Sequence, residues 1–263
     1  MRVQTEEWQR FIPGVRMYKG KKSLFYNGEK LWDDENEEWL IYSEEEQHSW
    51  EVVIILPGVR RIRESTFSTL EKLETVIMAD DSVETIEASA FYVCRSLEFV
   101  KLSRNLEYIG EYAFYRCSLT SIFIPPSCRE IGNKAFQYCQ KLIIFHVPRH
   151  TLIGIKAIMQ TELLEASPFE VEASYNYEEV NEWVKGINDD DEYELHRACS
   201  SFNPLMDIIY GVVKRKGLNS WKLKNEIGIT PFDYLEANPF AENNIDQRAL
   251  MKRYLLEMIG ETM

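Results

Sequence analysis

Few residues in this chain have types and spacing that could do chemistry. Histidines stand at positions 48, 146, 150 and 196. A spacing of four, as between His146 and His150, would place two imidazoles on one helix face as metal ligands. Pro148 lies between them and breaks such a helix, so no metal site is expected. The nearest approach to a phosphate loop is residues 14–23, with Gly14, Gly20, Lys21, Lys22 and Ser23. Five residues separate its glycines where the loop needs four, and a second lysine precedes the serine. Cys94, Cys117 and Cys139 recur at steps of 23 and 22 residues, so they should stack in a column near the strand spacing of roughly 4.8 Å; a disulfide between neighbours is conceivable on distance, but small buried thiols are the expectation. Carboxylates are plentiful, but none is paired in a sequence context that suggests a pocket. The sequence therefore predicts no catalytic residue, no cofactor and no metal.

Charge narrows the range of partners. The net charge of −13 is uneven. Residues 33–51 carry nine acids and no lysine or arginine, and residues 151–194 carry twelve acids and two bases. The block between them is close to neutral. A nucleic-acid binder needs a basic stripe, and Lys214-Arg215-Lys216 is the one basic triplet, placed where it complements a helix C-terminus. No apolar run approaches the roughly 20 residues of a membrane span. The first ten residues lack an apolar core. These features predict a cytoplasmic protein, monomeric, with neither nucleic acid nor membrane as partner.

The informative pattern is internal repetition. Four segments align, beginning at Val59, Val83, Leu106 and Cys128 and placing Ile62, Ile86, Ile109 and Ile131 three residues on. Five residues after each isoleucine comes Phe67, Phe91, Phe114 or Phe136, always preceded by a small residue. Leu70, Cys94, Cys117 and Cys139 follow, then Leu73, Leu97, Leu119 and Leu142. Each unit closes on an alternating pair: Val76 and Met78, Val100 and Leu102, Ile122 and Ile124, Phe145 and Val147. The phenylalanine steps are 24, 23 and 22, and the third unit has lost one residue between Cys117 and Leu119. A coil of about 23 residues cannot bury its own apolar face, so it stacks on the next. Period 2 in the closing pair predicts a short strand. The Ala-Phe-x-x-Cys stretch is compatible with one helical turn on the opposite wall.

This pattern resembles the BspA-like class of leucine-rich repeats, most clearly in residues 109–125, where Ile109-Gly110, Ala113-Phe114, Cys117 and Leu119 lead to Ile122, Ile124 and Pro125. The resemblance implies an α/β repeat solenoid with a parallel sheet on one face, used for protein recognition and without catalytic residues. Some members of the class are surface or adhesion proteins, which stands as the alternative reading. A hydrolase-like enzyme with an unrecognised site is the remoter one.

The flanks read differently. Residues 1–51 predict an N-terminal β cap, with a hairpin turning at Asn27-Gly28 between aromatic strands. The solenoid is expected over 52–150, linker helices over 151–190, and a helical block over 191–263. Within 151–190, residues 178–187 are amphipathic, with Val180, Trp183, Val184 and Ile187 at helical spacing. Residues 195–199 and 204–216, followed by Thr230-Pro231-Phe232, resemble the helices and turn of an ankyrin repeat. That resemblance implies a turn hydrogen bond for His196. A last helix is expected over 246–259. Taken end to end, the arrangement is similar to microalgal proteins with a BspA-like repeat and such a C-terminal block.

Strand residues that point away from the core are the candidate contacts with an unknown protein partner. They form a central ladder, Ile54, Ile77, Lys101, Phe123 and His146, beside a second that includes Phe99 and Ile144. An apolar outer face either binds something or is covered by the chain itself.

Overall fold

The structure, a computed structural model, describes residues 14–29, 31–33, 38–39, 43–169, 176–201 and 206–240. The chain divides after Asn181 into two compact units. In the first, β1 (Gly14–Tyr18), β2 (Lys21–Tyr26), β3 (Trp32–Asp33), β4 (Glu38–Trp39) and the short helix α1 (Glu44–Gln47) precede the repeats. The repeats contribute β5 (Val52–Ile55), β6 (Arg61–Ile62), β7 (Thr75–Met78), β8 (Thr85–Ile86), β9 (Phe99–Lys101), β10 (Tyr108–Ile109), β11 (Ser121–Phe123), β12 (Glu130–Ile131), β13 (Ile144–His146) and β14 (Leu152–Ile153).

The coils stack as the repeat demands. Strands β5, β7 and β9 pair in parallel, with Val53 beside Val76 and Val76 beside Val100. The repeated isoleucines build a second ladder on another wall, a five-stranded parallel sheet in the order β14-β12-β10-β8-β6. Between the walls runs the phenylalanine column. Successive ring centroids of Phe67, Phe91, Phe114 and Phe136 lie 5.3, 5.1 and 5.2 Å apart with planes within 19° of parallel. Offset stacking at this spacing follows from coils that rise by about one strand separation, roughly 4.8 Å. Tyr26 closes one end of the column edge-on and Phe145 meets the other.

The Ala-Phe-x-x-Cys stretch is not a helical turn. Two residues per coil, four apart, take left-handed backbone: Ser65 and Thr69, Ser89 and Val93, Tyr112 and Arg116, Lys134 and Tyr138, Lys156 and Gln160. Such residues cost on the order of 1 kcal/mol each. Hydrogen bonds to the next coil offset that cost. The amides of Ser65, Phe67 and Thr69 donate to the carbonyls of Ala88, Ala90 and Tyr92, and the triplet repeats along the stack. A helical turn would direct these amides back into its own coil and leave the neighbour's carbonyls unsatisfied.

Repetition also runs further than the sequence suggested. After Pro148 a fifth coil follows: β14 pairs with β12, and the Phe136 amide donates to Ala157 O at 2.8 Å. Ile158 takes the ring position, Thr161 the thiol position and Leu164 the leucine position, all buried. The first part of the stretch expected as linker helices, residues 151–165, is therefore repeat, and within it only Glu162–Glu165 (α2) is helical, capped by Thr161. Gly154 keeps the spacing of Gly132 and Gly110. At Gly132 a Cβ would lie 2.5 Å from the backbone nitrogen of Glu111, a contact no side chain tolerates.

At the N-terminal end the hairpin turns at Lys19-Gly20, both with positive φ. This is the two-residue geometry that right-twisted strands favour. Asn27-Gly28 serves another purpose. The Asn27 side chain accepts from the Glu29 amide at 3.1 Å, an Asx turn that leads the chain off β2. Strand β2 then pairs in parallel with β5, extending the repeat sheet. The cap is thus a continuation of the ladder.

Helix α3 (Tyr177–Gly186) has the predicted amphipathic face, with Val180 and Val184 buried. In the second unit, α4 (Glu194–Ser200), α5 (Met206–Lys216) and α6 (Pro231–Ala237) surround a core that includes Leu195, Cys199, Ile209, Val212 and Leu235. Gly217, at φ +85°, ends α5. Thr230 and Asp233 exchange side-chain and backbone hydrogen bonds in a capping box at the start of α6. Residues 202–205, where α5 was expected to begin, and the helix expected over 246–259 lie outside the described residues.

Candidate functional site

The outward positions of the strand ladder fall in the register expected. Ile54 lies beside Ile77 and Ile77 beside Lys101, while Val52, Thr75 and Phe99 form the neighbouring row. Further along, Phe123 lies beside His146 and Ile144 beside Ser121. Their exposure differs. Ile54, Phe123 and Ile144 are buried, at 5% or less. Ile77, Phe99, Lys101 and His146 are half-buried. The accessible part of the face therefore centres on β7 and β9, where Ile77 and Phe99 show apolar surface beside Thr75 and Lys101.

Electrostatics at the edge of this patch are locally balanced. Lys101 Nζ lies 2.8 Å from Asp80 Oδ1, and Arg104 approaches the same carboxylate at 3.6 Å. Lys21 pairs with Glu74 at the opposite edge. The His146 ring stands 5.8 Å from that of Phe123, and desolvation pushes its pKa down to about 4. At neutral pH its imidazole is uncharged, as an apolar surrounding requires.

The remaining chemically able residues are occupied structurally. Cys94, Cys117 and Cys139 stack as predicted, and each thiol donates to a carbonyl of the preceding coil, those of Phe67, Phe91 and Phe114, at 3.0–3.3 Å. Burial pushes Cys94 and Cys139 up to about 12, and Cys117 is raised as well. Thiols so raised stay protonated and are poor nucleophiles. His196 is fully buried, and its Nε2 lies 3.0 Å from the Ile229 carbonyl, a hydrogen bond to the turn before α6. Residues 14–23 form a hairpin, with no helix N-terminus to receive a phosphate. Among the described residues no group of three or more His, Cys, Asp or Glu could hold a metal ion, and no helix is long and apolar enough to cross a membrane.

One surface escaped the sequence reading. On the turn wall Tyr92 and Tyr115 stack at 5.1 Å, and Tyr112 and Tyr138 meet Tyr115 edge-on at 5.4 and 5.3 Å. Lys134 Nζ lies 4.7 Å from the Tyr112 ring centroid and also hydrogen-bonds its hydroxyl. Aligning the residues just after each phenylalanine would have found Tyr92 and Tyr115 on one wall.

Comparison with known proteins agrees with the repeat geometry. Residues 49–174 match the model of the BspA type leucine rich repeat region in six copies. No curated protein matches the chain. Among solved structures, a leucine-rich repeat protein from Bacteroides ovatus shares 33% identity over 43% of this chain and 29% of its own, with a TM-score of 0.40. The leucine-rich repeat protein of T. pallidum shares 27% over 41% and 54%, at 0.40. A leucine-rich cell surface protein from Faecalibacterium prausnitzii shares 26% over 53% and 33%, at 0.38. The chain thus spans at most about half the length of these three relatives. Residues 49–174 of this chain are a BspA-type leucine-rich-repeat region.

Proposed function

We propose that the protein is a non-catalytic binding module that recognises a protein partner through the outer face of β7 and β9. The observation that carries this reading is the half-exposed pair Ile77 and Phe99 on a ladder whose inward side, Val76, Met78 and Val100, is wholly spent on the core. Side chains held in register on a rigid sheet lose little entropy on binding, so contact area there converts efficiently into affinity. An aromatic at the centre of such a patch is the usual anchor of a protein interface. Phe123, although outward in register, is buried and acts as support. The partner contributes an apolar patch, because the cations beside Ile77 and Phe99 are already paired within the chain. The helical unit, with its His196 turn contact, is read as an ankyrin-like block.

The test begins with immobilised protein and a partner identified by mass spectrometry, which is then titrated in purified form. The Ile77→Ser/Phe99→Ala variant should bind it at least about tenfold more weakly, a loss of about 1.4 kcal/mol or more, with the repeat unit still cooperatively folded at the temperature of the titration. Equal affinity for the variant would overturn the proposal.

A further inference from the structure

The third coil is one residue short. A single residue, Ser118, separates Cys117 from Leu119, where two separate Cys94 from Leu97 and Cys139 from Leu142. Two irregularities coincide with the deletion. The strand ladder lapses between β9 and β11, which belong to separate sheets. On the same coil a notch of about 430 Å³ opens, lined by Arg95, Arg116, Ser118, Tyr138, Gln140 and Lys141. Arg95 comes from the second coil and Gln140 and Lys141 from the fourth, so the flanking coils supply side chains on either side of the short one.

The lining is cationic. Three positive side chains enter it and no carboxylate does. Lys141 pairs with Glu98 at 3.2 Å, whereas Arg95 and Arg116 make no ion pair with any described residue. In a chain of net charge −13, two guanidinium groups stand at one indentation without carboxylates, whereas Arg60, Arg61 and Arg129 each face a glutamate of a neighbouring coil. Arg116 is also oriented, its guanidinium carbon 5.1 Å from the Tyr138 ring centroid and 5.5 Å from that of Tyr115. A guanidinium stacked on a ring keeps its N–H edge free for a planar pair of oxygens. Gln140 and Tyr138 bring neutral donors. The volume lies in the range of small-ligand pockets, roughly 300–1,000 Å³, and exceeds what a bare oxyanion fills.

We propose that this notch binds a phosphate or sulfate ester of a small polar molecule, the ester oxygens taking Arg95 and Arg116 and the rest lying against Tyr138. None of Ile77, Phe99 and Lys101 lines the notch, so its test is separate from that of the proposed protein contact.

Amide NMR on the full chain tests it, with glucose 6-phosphate, glucose 6-sulfate and unmodified glucose as probes. One or both esters should give saturable shifts confined to residues 94–96, 116–119 and 138–142, and glucose none. A response to the phosphate alone or the sulfate alone identifies the ester, and a response to both shows recognition by charge. The exposed pair Arg95→Ala/Arg116→Ala should weaken binding about tenfold or more, as loss of charge-assisted hydrogen bonds predicts, leaving the amides of the Phe114 coil core unmoved. Inserting a glycine after Ser118 should close the notch, abolish the shifts and slow hydrogen exchange at β11. Absence of saturable shifts up to about 10 mM ester, weaker than any millimolar site, overturns the proposal. So does binding that survives the arginine pair.

Discussion

Phe114 is held on every side. Its ring stacks between Phe91 and Phe136, its amide donates to Ala135 O at 2.8 Å, and its carbonyl accepts the Cys139 thiol. Phe114→Ala should therefore cost about 3–5 kcal/mol, read as a lower urea midpoint at unchanged slope. Phe99→Ala, half-exposed, should cost less than half as much. A Phe114→Ala midpoint equal to that of the parent would contradict the column. The ring positions were legible in the sequence because phenylalanine recurs at a nearly fixed step. The left-handed residues were not. Ser65, Lys134 and Gln160 carry no local preference for positive φ. Inter-coil hydrogen bonds, which no single coil reveals, impose that geometry.

Among the elements, β13 carries a testable dependence on pH. Desolvation lowers His146 to about 4, whereas in the unfolded chain a histidine titrates near 6.5. Between these values the unfolded state binds a proton that the folded state refuses. The stability His146 permits is thus complete above about pH 6.5 and is lost as pH falls toward 4, by up to about 3 kcal/mol. His196 in the other unit is lowered too, again by desolvation first. Urea titrations between about pH 7.5 and 4.5 should show the repeat unit weakening with acid, and His146→Gln should flatten that slope. An unchanged slope would remove His146 as the cause. At this scale the sequence was a partial guide. The strands of the closing pairs were plain from alternation. The fifth coil was hidden because Ile158 replaces the phenylalanine of the other coils and Thr161 the cysteine of the three before it. The Asn27-Gly28 dipeptide announced a turn but not its partner strands. Which strand pairs with β2 depends on β5, a non-local choice.

The whole molecule comprises a repeat unit and a helical unit, each with its own core. The repeat register placed Ile54, Ile77, Lys101, Phe123 and His146 on one line from sequence alone. Alternation alone could not tell which would be accessible, since burial of Ile54 and Phe123 depends on tertiary packing. The candidate surface thereby narrows from seven residues to the few on β7 and β9. Amide hydrogen exchange of the protein bound to its purified partner measures this most directly. Protection is predicted over Thr75–Met78 and Phe99–Lys101, with the helices after residue 190 unchanged. Protection confined to those helices, with β7 and β9 exchanging as in the free protein, would contradict the assignment of the strand face as the recognition surface.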